Sequence, residues 1–176
     1  MPDQTLERIQ KLRVDALYGK KKHFNAADRK RVYQARLSVV VILANTVLGS
    51  ALFLYAKEAV PTEMKWAGGF LALGAAALVA LQSYFSWPKM VQGHCKVGGQ
   101  YLSLVKHYSN ILAQHTDGII SDVQLGQHLE RLTNELSKVD EAANSYPTTK
   151  ADYQNAQQGV TGGEEDYTDS ELKTGD

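Results

Sequence analysis

The chain has 176 residues, and its 19 basic and 19 acidic side chains cancel. Its single cysteine, Cys95, excludes an intrachain disulfide and a cysteine-based metal cluster. A mean hydropathy of −0.30 suits one soluble domain, but that average conceals two charge-free apolar stretches, Leu37 to Ala56 and Trp66 to Trp87.

Residues 1–36 form a basic arm, with ten Lys/Arg against four Asp/Glu for a net of +6. Leu6, Ile9, Leu12, Ala16 and Leu17 recur at three- and four-residue spacings with charges between them, which predicts a short amphipathic helix over residues 4–18. Gly19 and the lysines Lys20, Lys21 and Lys22 are expected to interrupt it. Asn25 then suits an N-cap, and Asp28 the first turn, where the helix dipole favours an acid. A helix from Ala26 is expected to run through Arg36 into the first apolar stretch.

An α-helix needs roughly 20 mainly apolar residues to cross a bilayer's hydrocarbon core. Residues 37–56 and 66–87 number 20 and 22, and the turn 57–65, with Pro61, Glu63 and two charges of each sign, only reverses the chain. The alternative, two core helices of a soluble protein, conflicts with the lack of a polar stripe along either stretch. A secretory signal peptide is not expected, because its apolar region is shorter and starts nearer the N-terminus. Basic residues near a span mark its cytoplasmic side. The cluster ahead of residue 37, with Lys89 and Lys96 after the second span, predicts that both termini are cytoplasmic.

Residues 88–144 read as a helical region that begins where Pro88 breaks or bends the chain. One helix carries Val97, Tyr101, Leu104, Val105, Tyr108, Ile111 and Leu112 on one face and ends at Thr116-Asp117-Gly118. Ser121 or Asp122 caps a second, in which Leu125, Leu129, Leu132, Leu136 and Val139 alternate spacings of four and three. That heptad-like seam needs a partner surface, within the subunit or between subunits. Residues 145–176 are rich in Thr, Asn, Gln, Gly and acids, and are expected to form a disordered acidic tail, with too little apolar area to offset the entropy of ordering. The fold class is an all-α membrane protein: a two-transmembrane helical hairpin between a cytoplasmic N-terminal amphipathic helix and a C-terminal helical region.

This layout resembles the SLATT family of two-transmembrane effectors associated with bacterial nucleotide-signalling conflict systems. The resemblance is carried by the arm LYGKKKHFNAADRKRVYQAR, the first span with VLGSALF and the helical region that follows, over about residues 5–145. It implies an inner-membrane effector of antiphage defence that permeabilises the membrane once a nucleotide signal or a partner is sensed. No functional motif of the family is carried over onto particular residues.

In the second span Gly68, Ala72, Ala76 and Ala80 follow one another at four-residue intervals, with Gly69 and Gly74 nearby. Small residues so spaced let another helix backbone approach closely. They fit either a subunit–subunit seam that rearranges into a pore or packing against the first span. The first span carries Ser38, Asn45, Thr46, Gly49 and Ser50. Asn45 must find a hydrogen-bond partner in lipid, by lining an aqueous path, bridging subunits or bonding to the second span, whereas Thr46 and Ser50 can bond to their own helix. Gln82, Ser83 and Ser86 give the second span a polar end suited to a pore mouth or to the interface region. Neither span holds a charge, which argues against active transport.

Lys20, Lys21, Lys22, Arg29, Lys30 and Arg31 set topology and bind anionic headgroups, hold nucleotide phosphates, or pair with the acidic C-terminal arm. No phosphate-cradling glycine loop accompanies them. The five histidines, His23, His94, His107, His115 and His128, lack metal-ligand spacing, and His107 and His115 show no obvious acidic companion. No metal, cofactor or catalytic constellation is expected, a nucleotide second messenger being the one small ligand implied. The expected partners are lipid, further copies of the chain and a nucleotide synthase or sensor protein, with no nucleic acid. A membrane anchor that recruits a partner through its cytoplasmic helices is the alternative function.

Overall fold

The computed structural model describes residues 2–55 and 61–166, so residues 57–60 of the expected turn, Lys57 and Glu58 included, and the last ten residues of the expected tail lie outside the described residues. Five helices follow in order: α1 Pro2–Tyr55, α2 Thr62–Phe85, α3 Trp87–Thr116, α4 Asp122–Ala143 and α5 Lys150–Thr161. No strand occurs among the described residues.

The chain divides into two units, one drawn from Met1–Ala27 and Gln92–Asp176, the other from Asp28–Val91. In the first, Ile9, Leu12, Ala16 and Leu17 of α1 join a core with Val97, Tyr101, Leu104, Val105, Tyr108 and Ile111 of α3 and Leu125, Leu132, Leu136 and Val139 of α4. Leu129 packs partly buried against it. The leucine seam of α4 therefore finds its partner surface within the chain. Ser121 caps α4 through a reciprocal box with Gln124, and α3 stops where Gly118 takes φ 71°.

Three sequence expectations are corrected in this unit. First, α1 is not interrupted at Gly19 to Lys22. A Cβ on Gly19 would lie 2.7 Å from the Tyr101 ring, so the glycine is where an aromatic of α3 lies against helix backbone. Second, Asn25 is not an N-cap. It lies inside α1, and its Nδ2 donates to the Asp152 carbonyl at 3.1 Å. Third, residues 150–161 of the expected disordered tail form α5. Thr149 and Asp152 make a capping box, with the Asp152 carboxylate accepting from the Thr149 N–H and hydroxyl, each at 2.8 Å. The helix seats itself through small residues, Ala156 and Gly159, both buried, so it needs few aliphatic side chains.

In the second unit, two stretches, one within Gln4–Ser50 and one within Met64–Thr116, are long and apolar enough to cross a membrane. Their most apolar windows are 0 % and 6 % buried inside the chain, unlike the core helices of a soluble protein. Ile42, Leu43, Phe70 and Leu73 are all exposed, as side chains that meet lipid must be. Trp66 stands near one end of α2, and Tyr84 and Trp87 near the other, where amphipathic rings sit at headgroup level. The helix ends at Phe85 because Ser86 turns left-handed, φ 44° and ψ 37°. Pro88 has no N–H to continue α2, but it fits the first turn of α3. The break expected at Pro88 thus falls two residues earlier.

Candidate functional site

Two sets of residues hold the chemistry: a polar cluster in the first unit and the faces of the two spans in the second.

The polar cluster starts from the lysine triplet. Lys20 Nζ lies 2.6 Å from a Glu165 carboxylate oxygen, and Lys21 bonds to Glu164 and lies 3.3 Å from Glu165. The side chains of Lys20 and Lys21 are only 13 % and 11 % exposed. Burial works against the Lys21 ammonium, but the hydrogen bonds and charges of Glu164 and Glu165 outweigh it and raise its pKa. Burial likewise disfavours the Glu165 carboxylate, but Lys20 and Lys21 reverse that and lower its pKa. Of the three readings of the basic cluster, pairing with the acidic arm is the one these two lysines adopt. Arg31 pairs with Asp28 at 2.6 Å, and Arg29 lies over the Tyr33 ring. A cavity of about 470 Å³ opens beside Lys20 and Lys21, lined also by Phe24, Asn25, Asn155 and Gln158. A second, of about 410 Å³, is lined by Lys22, His23, Tyr101, Asp140, Asn144 and Tyr146.

Next to the second cavity, His23 and His94 are buried with their Nδ1 atoms 3.1 Å apart. Burial foremost, then the charges of His94 and Lys22, bring the His23 pKa down to about 4, against a smaller opposing effect of Asp152. Sequence spacing gave no sign of this pair, whose members are 71 residues apart. The one local signal was Gly93, where a Cβ would lie 1.8 Å from the Tyr146 ring that covers His94. Tyr101 closes the other side, its ring tilted against His23 and its hydroxyl donating to Asp140 at 2.6 Å. Burial, then the bond and charge of Asp140, raise the Tyr101 pKa.

The other two histidines singled out for lacking acidic companions have them. His115 Nε2 is 3.1 Å from Asp122, and His107 Nδ1 is 3.7 Å from Glu135. The loop between α3 and α4 and the pairing of those helices bring these groups together. Among the described residues, no group of three or more His, Cys, Asp or Glu could hold a metal.

In the spans, Gln82 donates to the Ser38 hydroxyl at 3.0 Å and so ties α2 to α1. Ala75 is buried, and Gly68, Leu78 and Gln82 are half-buried, all on the side of α2 turned toward α1. Ala72, Ala76 and Ala80 are exposed. The small-residue row is therefore split: Gly68 belongs to the inner side, and the three alanines face outward. Cβ atoms built on Gly49, Gly69 and Gly74 would meet nothing within 4 Å. Among the described residues Asn45 makes no bond to α2; its Nδ2 donates to the Val41 carbonyl at 2.9 Å, one turn back. Thr46 and Ser50 do likewise to Ile42 and Thr46, as expected for hydroxyls in lipid. Ser83 is exposed, and its carbonyl accepts from the Ser86 hydroxyl at 3.2 Å.

A family model described as "SMODS and SLOG-associating 2TM effector domain family 4" matches residues 6–171. Neither a curated protein nor a solved structure matches the chain.

Proposed function

The chain belongs to the SMODS and SLOG-associating 2TM effector domain family, and we propose that it acts as an oligomeric pore of the bacterial inner membrane, opened in antiphage defence by a nucleotide signal or a partner protein. The family makes it a membrane effector of nucleotide-signalling systems. The observation that carries the finer reading is the outward face of α2. Ala72, Ala76 and Ala80 are exposed while Ala75 and Gln82 are engaged toward α1. Lipid provides no hydrophobic drive between helices, so association rests on close backbone approach, which small side chains permit. A second copy of the chain gains that approach on this face. Asn45, exposed and bonded one turn back on its own helix, adds a polar group that a rearranged bundle can turn toward water. The basic arm supports cytoplasmic termini under the positive-inside rule. A signal opens the assembly only by binding the open arrangement more tightly than the closed one.

The test is ion flux from liposomes holding the purified full chain, with and without a panel of cyclic oligonucleotides or a candidate synthase. Flux that depends on the signal and is lost in Ala76→Phe supports the pore. The second reading, an anchor that recruits a partner, draws on the separate helical core of the first unit. Absence of flux under every condition, with partner capture intact in Ala76→Phe, would replace the pore by the anchor.

A further inference from the structure

We propose that Lys20 and Lys21, with the side-chain amides of Asn155 and Gln158 beside them, form a binding site for a phosphate group, and that the chain's own Glu164 and Glu165 occupy it in competition with the ligand. This deepens the reading above by assigning the signal a place, and it rests on that reading only for its consequence.

Lysine side chains almost always stay in water, but these two are about nine-tenths covered. Adjacent like charges so placed require anions, and the fold supplies two carboxylates. A phosphate monoester carries close to two negative charges on several acceptor oxygens. Exchanging the two carboxylates for such a group leaves the charge balance of the site unchanged.

The occupant is also built to be displaced. The α5 helix ends in a Schellman turn, in which the Glu164 N–H bonds to the Gly159 carbonyl at 3.1 Å and the Gly163 N–H to the Val160 carbonyl at 3.3 Å. Gly163 takes φ 75° at the left-handed position of that turn, which aims the two acids back at the lysines. Glu164 is 66 % exposed and Glu165 31 %, far more than the lysines they bind. The acids can therefore leave while the lysines stay in place. On the opposite wall, Gly159 presents bare backbone: a Cβ there would lie 2.3 Å from the Glu164 carboxylate and 2.9 Å from Lys21 Nζ. The adjoining cavity of about 470 Å³ falls within the usual range for small-ligand sites, about 300–1,000 Å³.

The phosphate can belong to a soluble nucleotide or to a lipid headgroup, and the experiment separates the two. Full-length protein in zwitterionic nanodiscs is titrated calorimetrically with pyrophosphate and with ATP. A parallel series uses nanodiscs containing phosphatidic acid and reads protection of Lys20 and Lys21 from amine-reactive labelling. Glu164→Gln with Glu165→Gln keeps shape and removes charge, and Gly163→Ala strains the turn without touching either acid. We expect the double glutamine variant to bind about tenfold more tightly than the wild type, because the internal competitor is gone. Gly163→Ala should shift in the same direction, and Lys20→Gln with Lys21→Gln should lose binding while far-UV circular dichroism stays unchanged. That order in the titrations assigns the site to a soluble phosphate; greater protection of Lys20 and Lys21 in the double glutamine variant and in Gly163→Ala than in the wild type, in the phosphatidic acid series alone, assigns it to a headgroup. Equal affinity of wild type and the double glutamine variant in both series, binding that survives loss of both lysines, or no binding in either series overturns the site. These readouts do not involve flux. A tenfold shift without flux sinks the pore and keeps the site, whereas signal-dependent flux without any shift does the reverse.

Discussion

His23 and His94 meet through their Nδ1 atoms at 3.1 Å with both rings out of solvent. In the neutral pair one ring donates from Nδ1 and the other accepts there, so the two must be opposite tautomers. Tyr101 and Tyr146 cover the rings, Lys22 adds positive charge and Asp152 only partly offsets it. Protonation is therefore opposed in the folded chain but free in the unfolded one.

The sign of the pH dependence follows. The His23 pKa is about 4 when folded, below the ordinary 6.5. Between those values the unfolded chain holds more protons, so stability rises with pH by up to about 1.4 kcal/mol per unit for one proton. The contribution is complete above about pH 6.5 and is lost as pH falls toward 4. Thermal melts of the detergent-solubilised protein should be flat from pH 8 to 7 and decline below 6.5. In His23→Asn that decline should be much shallower. An equal decline in the variant would show that other groups set it.

The cover over this pair depends on one missing side chain. Gly93 leaves room for the Tyr146 ring, whose Cε1 would stand 1.8 Å from a Cβ. Gly93→Ala should destabilise by about 1–3 kcal/mol, typical of an overfilled core. Tyr146→Ala should remove most of that penalty when the two are combined, a coupling that a double-mutant cycle measures. Additive losses would mean that the alanine is accommodated by backbone movement elsewhere.

The α4 seam gives a further expectation. Leu132 is fully buried, whereas Val123, in the first turn of the same helix, is 73 % exposed. Leu132→Ala should cost about 2–5 kcal/mol and Val123→Ala close to nothing, by chemical denaturation followed at 222 nm. Had the seam served contacts between subunits, Leu132→Ala would instead alter oligomeric state and leave a monomer's stability intact.

What the sequence made legible follows from the range of the interactions concerned. The spans were readable because a bilayer demands a long local run of apolar residues. The face of α3 and the seam of α4 were readable because helical period places them without reference to the rest of the chain. Thr116-Asp117-Gly118 and Ser121 marked local ends correctly for the same reason. The His23–His94 contact, the Lys20–Glu165 pair and the Asn25–Asp152 bond join residues 71 to 145 positions apart, and no local pattern encodes such distances. The lysine triplet looked like a helix breaker because the acids that neutralise Lys20 and Lys21 lie at the far end of the described chain. Asn45 differs: its amide is served by the Val41 carbonyl one turn back, a local bond that periodicity does not distinguish from one to a second helix.

The α5 helix is the case where a local signal was present and composition hid it. Thr149 and Asp152 stand in capping-box spacing, and the carboxylate accepts twice from Thr149 at 2.8 Å while being 2 % exposed. Losing an N-cap hydroxyl costs about 0.5–2 kcal/mol, a large share of what a helix of 12 residues with few aliphatic contacts has to hold it. Thr149→Ala should therefore raise amide hydrogen exchange across residues 150–161 several-fold, and Thr149→Ser should restore the wild-type rate. Exchange in the Val97 to Ile111 stretch of α3 should not change, since that stretch is held by the α1 and α4 core. If protection falls equally through α3, then α5 is not a separately opening element but part of one cooperative unit with the core.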